Sequence, residues 1–126
     1  MLTRKRILIV DDEENFGQMV KYNLEATRHY EVKVETHASQ ALKDAKEFRP
    51  DIILLDIIMP EVEGSEVAHQ IHADAALKDT RIVFLTATVT QEEVNFCGGK
   101  IGGQFFLAKP VGLEQLLACI QQHIPA

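Results

Sequence analysis

Four short apolar runs, each followed directly by a polar residue, divide the chain. ILIV at 7–10 precedes Asp11 and Asp12, IILL at 52–55 precedes Asp56, IVFL at 82–85 precedes Thr86, and FFLA at 105–108 precedes Lys109. Strands of a parallel sheet are buried on both faces and therefore have continuous apolar sequences. Open α/β sheets bind ligands just beyond the carboxyl ends of such strands. The pattern therefore predicts a parallel sheet with a site along one edge.

The segments between the apolar runs have the spacing of amphipathic helices. The predicted helical stripes are Phe16, Met19, Val20 and Leu24; Ala41, Leu42, Ala45 and Phe48; Val67, Ala68, Ile71 and Ala75; and Leu113, Leu116, Leu117, Ile120 and Ile124. A further helix, the fourth in chain order, is predicted at 91–97. It is expected to be short or frayed, because four of the chain's seven glycines follow at 98–103 and each glycine costs a helix about 1 kcal/mol relative to alanine.

The remaining strand has a different pattern from the four apolar runs. EVKVET at 31–36 alternates apolar and polar residues, which is typical of a half-exposed strand at a sheet edge. Alternating strands and helices predict an α/β fold with a doubly wound, five-stranded parallel sheet and helices on both faces. Strand order 2-1-3-4-5 places the alternating strand at the edge and strands one and three side by side. With 126 residues, of which 46% are hydrophobic, the chain is expected to form one domain, 1–126.

This strand order brings Asp11, Asp12 and Asp56 into one crevice. Each pair of ionised carboxylates 4 Å apart repels by about 1 kcal/mol in water and about 4 kcal/mol at an effective dielectric constant of 20. Lys109 supplies only one positive charge, so a divalent cation would balance the rest. Because the ligands are all oxygens, with no His or Cys at the strand ends, Mg²⁺ or Mn²⁺ is favoured over zinc.

Mg²⁺ commonly bridges protein carboxylates to a phosphate, and an aspartate can attack phosphorus, so the cleft indicates phosphoryl chemistry.

Composition excludes several other function classes. The formal net charge is −6, with acidic and basic residues interspersed, so direct nucleic-acid binding by a basic surface is not expected. The apolar stretch near the amino terminus is only four residues long, so it fits neither a signal peptide nor a membrane span. Cys97 and Cys119 are widely spaced, which favours free thiols in a reducing cytosol. A cytoplasmic location is therefore expected.

Three features have simpler interpretations that remain open. Asp11 and Asp12 are also suited to capping the first helix. His69 and His72 lie three residues apart on one predicted helix, but no third ligand completes a zinc site, so surface histidines are the preferred interpretation. GGKIGG at 98–103 lacks the spacing of a phosphate-binding loop and is interpreted as a helix end and turn.

Four motifs in chain order carry a family resemblance. They are VDDEE at 10–14, PDIILLDIIMPEVEG at 50–64, FLTA at 84–87 and FFLAKP at 105–110. With these motifs the chain resembles, from end to end, a CheY-like receiver domain of the response regulators of two-component signalling. The resemblance implies a flavodoxin-like (βα)5 fold.

The resemblance also implies a role for each residue at the strand ends. Asp56 corresponds to the phosphate acceptor, Asp12 to a direct ligand of Mg²⁺, and Asp11 to a carboxylate that holds the metal chiefly through water. The backbone carbonyl of Ile58 corresponds to a further metal ligand. Lys109 corresponds to the ammonium that pairs with Asp56 or with the phosphoryl group.

The switch elements of the family have counterparts as well. Thr86 resembles the hydroxyl that bonds to a phosphoryl oxygen, and Phe106 occupies the switch aromatic position. On phosphorylation, Thr86 is expected to move inward and Phe106 to fill the vacated space. The Lys109–Pro110 bond corresponds to one that is usually cis in the family.

The partners follow from the same resemblance. A histidine kinase or a histidine phosphotransfer protein would donate the phosphoryl group, and an unknown output partner would read the face formed by the fourth helix, fifth strand and fifth helix. A dimer that forms on phosphorylation is compatible with this scheme. The domain would act on itself rather than as a turnover enzyme.

Two alternatives come from other function classes. One is a receiver-like scaffold that is not phosphorylated. The other is a magnesium-dependent aspartyl phosphohydrolase of the haloacid-dehalogenase type, which needs an Asp two residues after the nucleophile, where this chain has Ile58.

Overall fold

Strands and helices alternate along the chain in the order that the apolar runs predict. The computed structural model describes residues 4–60, 62–87, 100–101, 104–109 and 112–124. The strands are β1 (Lys5–Val10), β2 (Tyr30–Glu35), β3 (Ile52–Asp56), β4 (Arg81–Thr86), β5 (Lys100–Ile101) and β6 (Gln104–Ala108). The helices are α1 (Glu14–Ala26), α2 (Ala41–Phe48), α3 (Gly64–Ala73) and α4 (Leu113–His123), and a 3-10 turn, Ala38–Gln40, precedes α2.

All six strands belong to one sheet with the order β2-β1-β3-β4-β6-β5. The neighbours β1–β2, β1–β3, β3–β4 and β4–β6 are parallel. Since β6 is the predicted fifth strand, the five parallel strands have the predicted order 2-1-3-4-5. The alternating strand β2 lies at one edge, as its sequence pattern indicates.

The opposite edge carries a strand that the sequence analysis did not predict. Lys100 and Ile101 pair antiparallel with Phe105 and Gln104 of β6, so the interpretation of GGKIGG as a helix end and turn is wrong for these two residues. An antiparallel partner needs only a short connection, and the outer edge of β6 offers unpaired backbone groups. The predicted helix at 91–97, the other positions of the glycine-rich segment and Pro110 lie outside the described residues.

The core has two layers because successive strand residues point to opposite faces of the sheet. Ile7, Leu8, Ile9 and Val10 of β1 are all fully buried, which explains the continuous apolar run. Burial of such a side chain contributes about 1.5–3 kcal/mol. Ile7 and Ile9 pack with Val20 and Leu24 of α1 and Leu116 and Ile120 of α4, whereas Leu8 and Val10 pack with Ala41 and Ala45 of α2 and Val67 and Ile71 of α3. Helices therefore cover both faces, as predicted.

The predicted helical stripes are wrong at three positions. Met19 was expected in the core but is 52% exposed, and Leu113, the first residue of α4, is 41% exposed. Ala75 is exposed and lies beyond the end of α3. The buried stripe of α1 includes Gly17 instead. A Cβ atom at Gly17 would lie 2.6 Å from Cγ1 of Val34, so α1 packs more closely on β2 than any larger residue allows. Periodicity of apolar residues does not detect a position that requires glycine.

Among the described residues, no helix has the length and apolar character needed to cross a bilayer.

Cys119 is a free, half-buried thiol on α4, as predicted. Burial raises the pKa of this thiol to about 11, so it stays protonated at neutral pH. Cys97 lies outside the described residues.

Gly64 joins the start of α3 to the end of β3. Its backbone N–H donates to the carbonyl of Ile57 at 2.8 Å. A Cβ atom here would lie 2.7 Å from Cα of Ile57 and would collide with the carbonyl oxygen of Asp56. Both neighbours are backbone atoms, which cannot move aside as a flexible side chain can.

We expect Gly64→Ala to destabilise the protein by about 3 kcal/mol, the upper end of the range for overpacking. Chemical denaturation measures this change. Gly112→Ala is the control, since a Cβ atom there meets only Oε1 of Gln115, at 3.8 Å, and the loss of an N-cap glycine costs at most about 1 kcal/mol. Equal destabilisation by the two substitutions would contradict the close contact at Gly64.

Candidate active site

The pairing of β1 with β3 places the predicted acidic residues side by side. Val10 is opposite Leu55 in the parallel register, so Asp11 and Asp56 follow at the same level of the sheet. The N–H of Asp11 donates to the carbonyl of Glu35 at 3.0 Å, which continues the β1–β2 ladder by one residue. Oxygen atoms of Asp11, Asp12 and Asp56 lie within 4.8 Å of one another. The structure therefore brings the three predicted carboxylates together.

Burial distinguishes this group from ordinary surface acids. Among the described residues four polar or charged side chains are buried: Asp11, Asp44, Asp56 and Thr86. Three of the four are candidate site residues, and Asp12 is exposed at the mouth. Burial of charged groups is unfavourable unless they are paired, so their concentration at one sheet edge indicates a functional site.

Lys109 supplies the positive charge inside the group. Its Nζ atom lies 2.6 Å from Oδ2 of Asp11, 3.2 Å from Oε1 of Glu13 and 3.7 Å from Oδ2 of Asp56. The backbone N–H of Lys109 donates to the carbonyl of Thr86 at 2.8 Å, which fixes where the side chain starts. The ammonium is therefore nearer to Asp11 than to Asp56, the protein partner that the family resemblance implies.

Burial and neighbouring charges shift the pKa values of these groups. Burial, reinforced by the charge of Asp11 and opposed by Lys109, raises the pKa of Asp56 to about 6. Burial also raises the pKa of Asp11, against the opposing effect of Lys109. Burial alone would lower the pKa of Lys109, but Asp11, Asp56 and Glu13 together raise it. Lys109 is therefore charged at neutral pH, and Asp56 holds a proton more tightly than an exposed aspartate does.

The loop after β3 orients the Asp56 carboxylate. The N–H of Ile58 donates to Oδ1 of Asp56 at 3.4 Å, and the N–H of Ile57 donates to the carbonyl of Leu85 at 3.2 Å. The side chain of Ile58 is 62% exposed, so it lies at the open side of the site. Its backbone carbonyl belongs to the same loop, and its role as a metal ligand stays a prediction.

Thr86 and Phe106 lie on the strands beyond Asp56. Thr86 ends β4 one residue after Leu85, the register partner of Asp56, and it is buried. Phe106 is half-buried on β6, with its ring centroid 5.4 Å from that of Phe84. A cavity of about 360 Å³ borders both rings and is also lined by Ile57, Ser65, Ala68, His69 and His72. Phe106 therefore has open space beside it.

The structure bears on two simpler interpretations of the sequence. The N-cap residue of α1 is Glu13, but Oδ1 of Asp11 accepts a hydrogen bond from the N–H of Glu13 at 2.9 Å, so Asp11 binds the backbone at the start of the helix and also belongs to the acidic group. His72 Nε2 lies 3.2 Å from the carbonyl oxygen of Thr80. In the described part of the chain, the three aspartates are the one group with the ligand number of a metal site. Their oxygen atoms suit Mg²⁺.

The sequence analysis missed two residues that contact Lys109. Glu13 was quoted only as part of a motif, and Phe16 was assigned to the core stripe of α1. The Phe16 ring centroid lies 4.7 Å from Nζ of Lys109. The available signal was their position: Phe16 follows Glu13 by three residues, so both lie on one side of the first helical turn.

Removal of the Asp56 charge is expected to stabilise the metal-free protein in a pH-dependent way. Because the pKa of Asp56 is raised from 3.8 to about 6, the folded state binds a proton more readily than the unfolded state. Ionised Asp56 is therefore unfavourable above about pH 6, and this effect disappears as the pH falls towards about 4. We expect Asp56→Asn to be more stable than the wild type by about 2 kcal/mol at pH 7.5 and nearly equal to it at pH 4.

Chemical denaturation with a chelator present at several pH values measures this difference. Asp79→Asn, at an exposed aspartate, is the control and should show no such trend. A stability gain for Asp56→Asn that does not change between pH 4 and 7.5 would contradict the raised pKa.

Comparison with known proteins extends the geometric observations. The family model of the response regulator receiver domain matches residues 7–121. The nisin biosynthesis regulatory protein NisR of Lactococcus lactis subsp. lactis is 38% identical over 120 residues, which cover 94% of this chain and 50% of NisR. The alkaline phosphatase synthesis transcriptional regulatory protein PhoP of Bacillus subtilis (strain 168) is 31% identical, over 93% of this chain and 47% of PhoP. The chain thus spans about half the length of these curated relatives.

Solved structures agree with the family match. The Vibrio cholerae chemotaxis protein CheY4 has a TM-score of 0.82 at 30% identity, over 97% of this chain and 100% of that chain. The non-phosphorylated HemR receiver domain from Leptospira biflexa has a TM-score of 0.77 at 29% identity, over 98% and 96% of the two chains. The resemblance expected from the four motifs is confirmed. The chain belongs to the receiver-domain family of the two-component response regulators.

Proposed function

We propose that residues 1–126 act as one receiver domain in which Asp56 accepts a phosphoryl group. One observation carries this proposal: Asp56 is a buried carboxylate with two further carboxylates within 4.8 Å and an ammonium at 3.7 Å. Such a group of charges suits an incoming phosphoryl group, whose oxygens need positive charge and whose phosphorus needs a nucleophile.

The transfer step requires little of the protein beyond position and charge. An oxygen of Asp56 forms a bond to phosphorus while the P–N bond of a donor phosphohistidine breaks, and the electron pair leaves with the imidazole, which takes up a proton. Lys109 then lies within reach of a phosphoryl oxygen. The N–H of Ile58, 3.4 Å from Oδ1 of Asp56, holds the carboxylate during the attack.

Mg²⁺ is the proposed cofactor, and Mn²⁺ has the same preference for oxygen ligands. Asp12 and Asp56 would bind the ion directly, Asp11 chiefly through water, and the backbone carbonyl of Ile58 would complete the protein ligands. When bound, the ion would neutralise charge on the phosphoryl oxygens. The balance of charges supports this assignment, because Lys109 is a single cation among four carboxylates, those of Asp11, Asp12, Glu13 and Asp56.

Thr86 and Phe106 are the proposed switch. A hydrogen bond from Thr86 to the charged phosphoryl group would contribute about 1.5–3 kcal/mol net. That amount changes a two-state equilibrium by about ten- to a hundredfold. Phe106 would turn towards the space that Thr86 leaves, which alters the surface around β6 and α4.

The proposed phosphoryl donor is a histidine kinase or a histidine phosphotransfer protein, as expected for response regulators. We assign the output to the face formed by β6, α4 and the predicted helix at 91–97, where a partner or a second phosphorylated copy would bind. In this scheme the phosphoryl acceptor is the protein itself, so the domain is not a turnover enzyme. An exposed Ile58 at the position where a phosphohydrolase needs an acid gives the hydrolase alternative no support.

Incubation with acetyl phosphate and Mg²⁺ is expected to add one labile phosphoryl group. Intact-mass spectrometry measures the adduct, which should be absent from Asp56→Ala and from samples treated with a chelator beforehand. An unmodified wild type would favour the scaffold alternative, and continuous release of phosphate from diverse esters would favour the hydrolase.

The same sample tests the switch. The ring resonances of Phe106 should move on phosphorylation in the wild type and stay in place in Thr86→Ala. Identical Phe106 resonances with and without the phosphoryl group would show that this ring takes no part in the response.

The exposed Ile58 side chain predicts slow loss of the phosphoryl group. An apolar side chain beside the acceptor cannot orient an attacking water, whereas a carboxamide can donate or accept a hydrogen bond. We expect Ile58→Asn to shorten the phosphoryl lifetime by about two- to tenfold, which is the change in rate that the net free energy of one hydrogen bond would produce. Ile58→Val keeps an apolar side chain and is the control. Equal lifetimes in the wild type and Ile58→Asn would refute a role for this position.

A further inference from the structure

Among the described residues, Asp11, Glu13, Phe16 and Asp56 surround the Lys109 ammonium, and they are of two different kinds. Asp11 and Asp56 belong to the proposed metal and phosphoryl site. Glu13 and Phe16 belong to the start of α1 and lie outside the group of three aspartates. Glu13 contacts Nζ at 3.2 Å, and the Phe16 ring lies under Nζ with its centroid at 4.7 Å.

The shortest of these contacts would weaken when the site is in use. Asp11, at 2.6 Å from Nζ, would turn its charge towards a bound cation. Lys109 would then lose its strongest partner, and a long side chain with several rotatable bonds gains freedom when it is released. Glu13 contacts Nζ through its carboxylate, whereas its backbone N–H donates to Oδ1 of Asp11 at 2.9 Å, and Phe16 contacts Nζ through its ring. Neither contact to Nζ uses an atom of a metal ligand, so both remain available to hold the ammonium near Asp56.

The two residues differ in how they hold the ammonium. Phe16 packs, partly buried, against the core formed with α1 and α4, which restricts its ring, and attraction between a cation and an aromatic face is stronger when both are shielded from water. The Glu13 side chain is 67% exposed, whereas that of Lys109 is 11% exposed. Glu13 can therefore follow small movements of the ammonium, while the ring defines where the ammonium stays.

We propose that Glu13 and Phe16 are positioning residues for phosphoryl transfer, which keep the Lys109 ammonium beside Asp56 when a cation engages Asp11. This inference rests on the proposed role of Asp56. Neither residue touches the phosphoryl group; both act through Lys109. The N-cap and first turn of α1 thus serve the reaction through Lys109, in addition to covering the sheet.

The first test locates the ammonium in the metal-free protein by NMR. With ¹³C-labelled lysine, the ε-methylene signal of Lys109, assigned by its loss in Lys109→Arg, should be shifted upfield by the Phe16 ring current. Phe16→Leu should remove this shift, and Phe16→Tyr, which keeps the ring, should preserve it. The wild-type shift should persist when Mg²⁺ is added. An ordinary lysine shift in the wild type, or loss of the upfield shift with Mg²⁺, would overturn the proposal.

The second test measures the kinetics of phosphorylation by acetyl phosphate at saturating Mg²⁺. Glu13→Gln, Glu13→Asp and Phe16→Leu should each lower the maximal rate constant by about three- to tenfold, whereas Phe16→Tyr should retain it. Glu13→Asp keeps the charge but shortens the reach to Nζ. Glu14→Gln is the matched control, because Glu14 is an adjacent exposed acid, and it should keep the wild-type maximal rate constant.

The outcomes separate positioning from general electrostatics. If Glu13 acted only by its charge, Glu13→Gln and Glu14→Gln would lower the donor concentration for half-maximal rate equally, and Glu13→Asp would match the wild type; this result overturns the proposal. Thermal unfolding of each variant shows whether a lower rate reflects lost structure. If wild-type protein forms no adduct, the proposed role of Asp56 fails, while the metal-free NMR signal still reports whether Phe16 and Lys109 are in contact.

Discussion

The ion pair between Lys109 and buried Asp11 is the interaction on which the site depends. The register of β1 and β3 forces two carboxylates to the same level of the sheet, where burial would be unfavourable without a counter-charge. The pairing of β4 with β6 brings the lysine to the same edge, and the hydrogen bond from its N–H to Thr86 fixes its backbone. One cation thus allows a fold with a continuous apolar core to hold an acidic cleft.

The same arrangement leaves the site short of positive charge. Raised pKa values at Asp11 and Asp56 mean that the folded protein holds these groups in a less favourable environment than water does. Proteins commonly retain such unfavourable groups where function needs them. Here the shortage of positive charge would favour a divalent cation, which would relieve the repulsion between the carboxylates.

The sequence predicted the fold best where strand residues are buried on both faces of the sheet. The four apolar runs predict four parallel strands and the sheet edge, because each strand interior is apolar on both faces and each polar residue after it stands out. The pattern of α1 was less informative, since close packing on Val34 selects Gly17, a residue with no apolar side chain, and leaves Met19 outside. A strand of only two residues, such as Lys100–Ile101, is too short to show the alternation of apolar and polar residues by which a strand is recognised in a sequence. The preference of Lys109 for Asp11 over Asp56 rests on a difference of about 1 Å between contacts, which depends on side-chain geometry and not on residue order.

The contact between Gly64 and the backbone of Asp56 and Ile57 has a consequence for how this protein can vary. The hydrogen bond from the N–H of Gly64 to the carbonyl of Ile57 holds together the two ends of the loop between these residues. Lengthening a loop whose ends are already fixed adds only about 0.6 kcal/mol per doubling of its length. The exposed positions of this loop, such as Pro60 and Glu63, can therefore vary while Asp56 and α3 keep their places, whereas Ile58, which contacts the Asp56 carboxylate, and buried Met59 are constrained. Tolerance to sequence change thus differs sharply between neighbouring positions of one short loop.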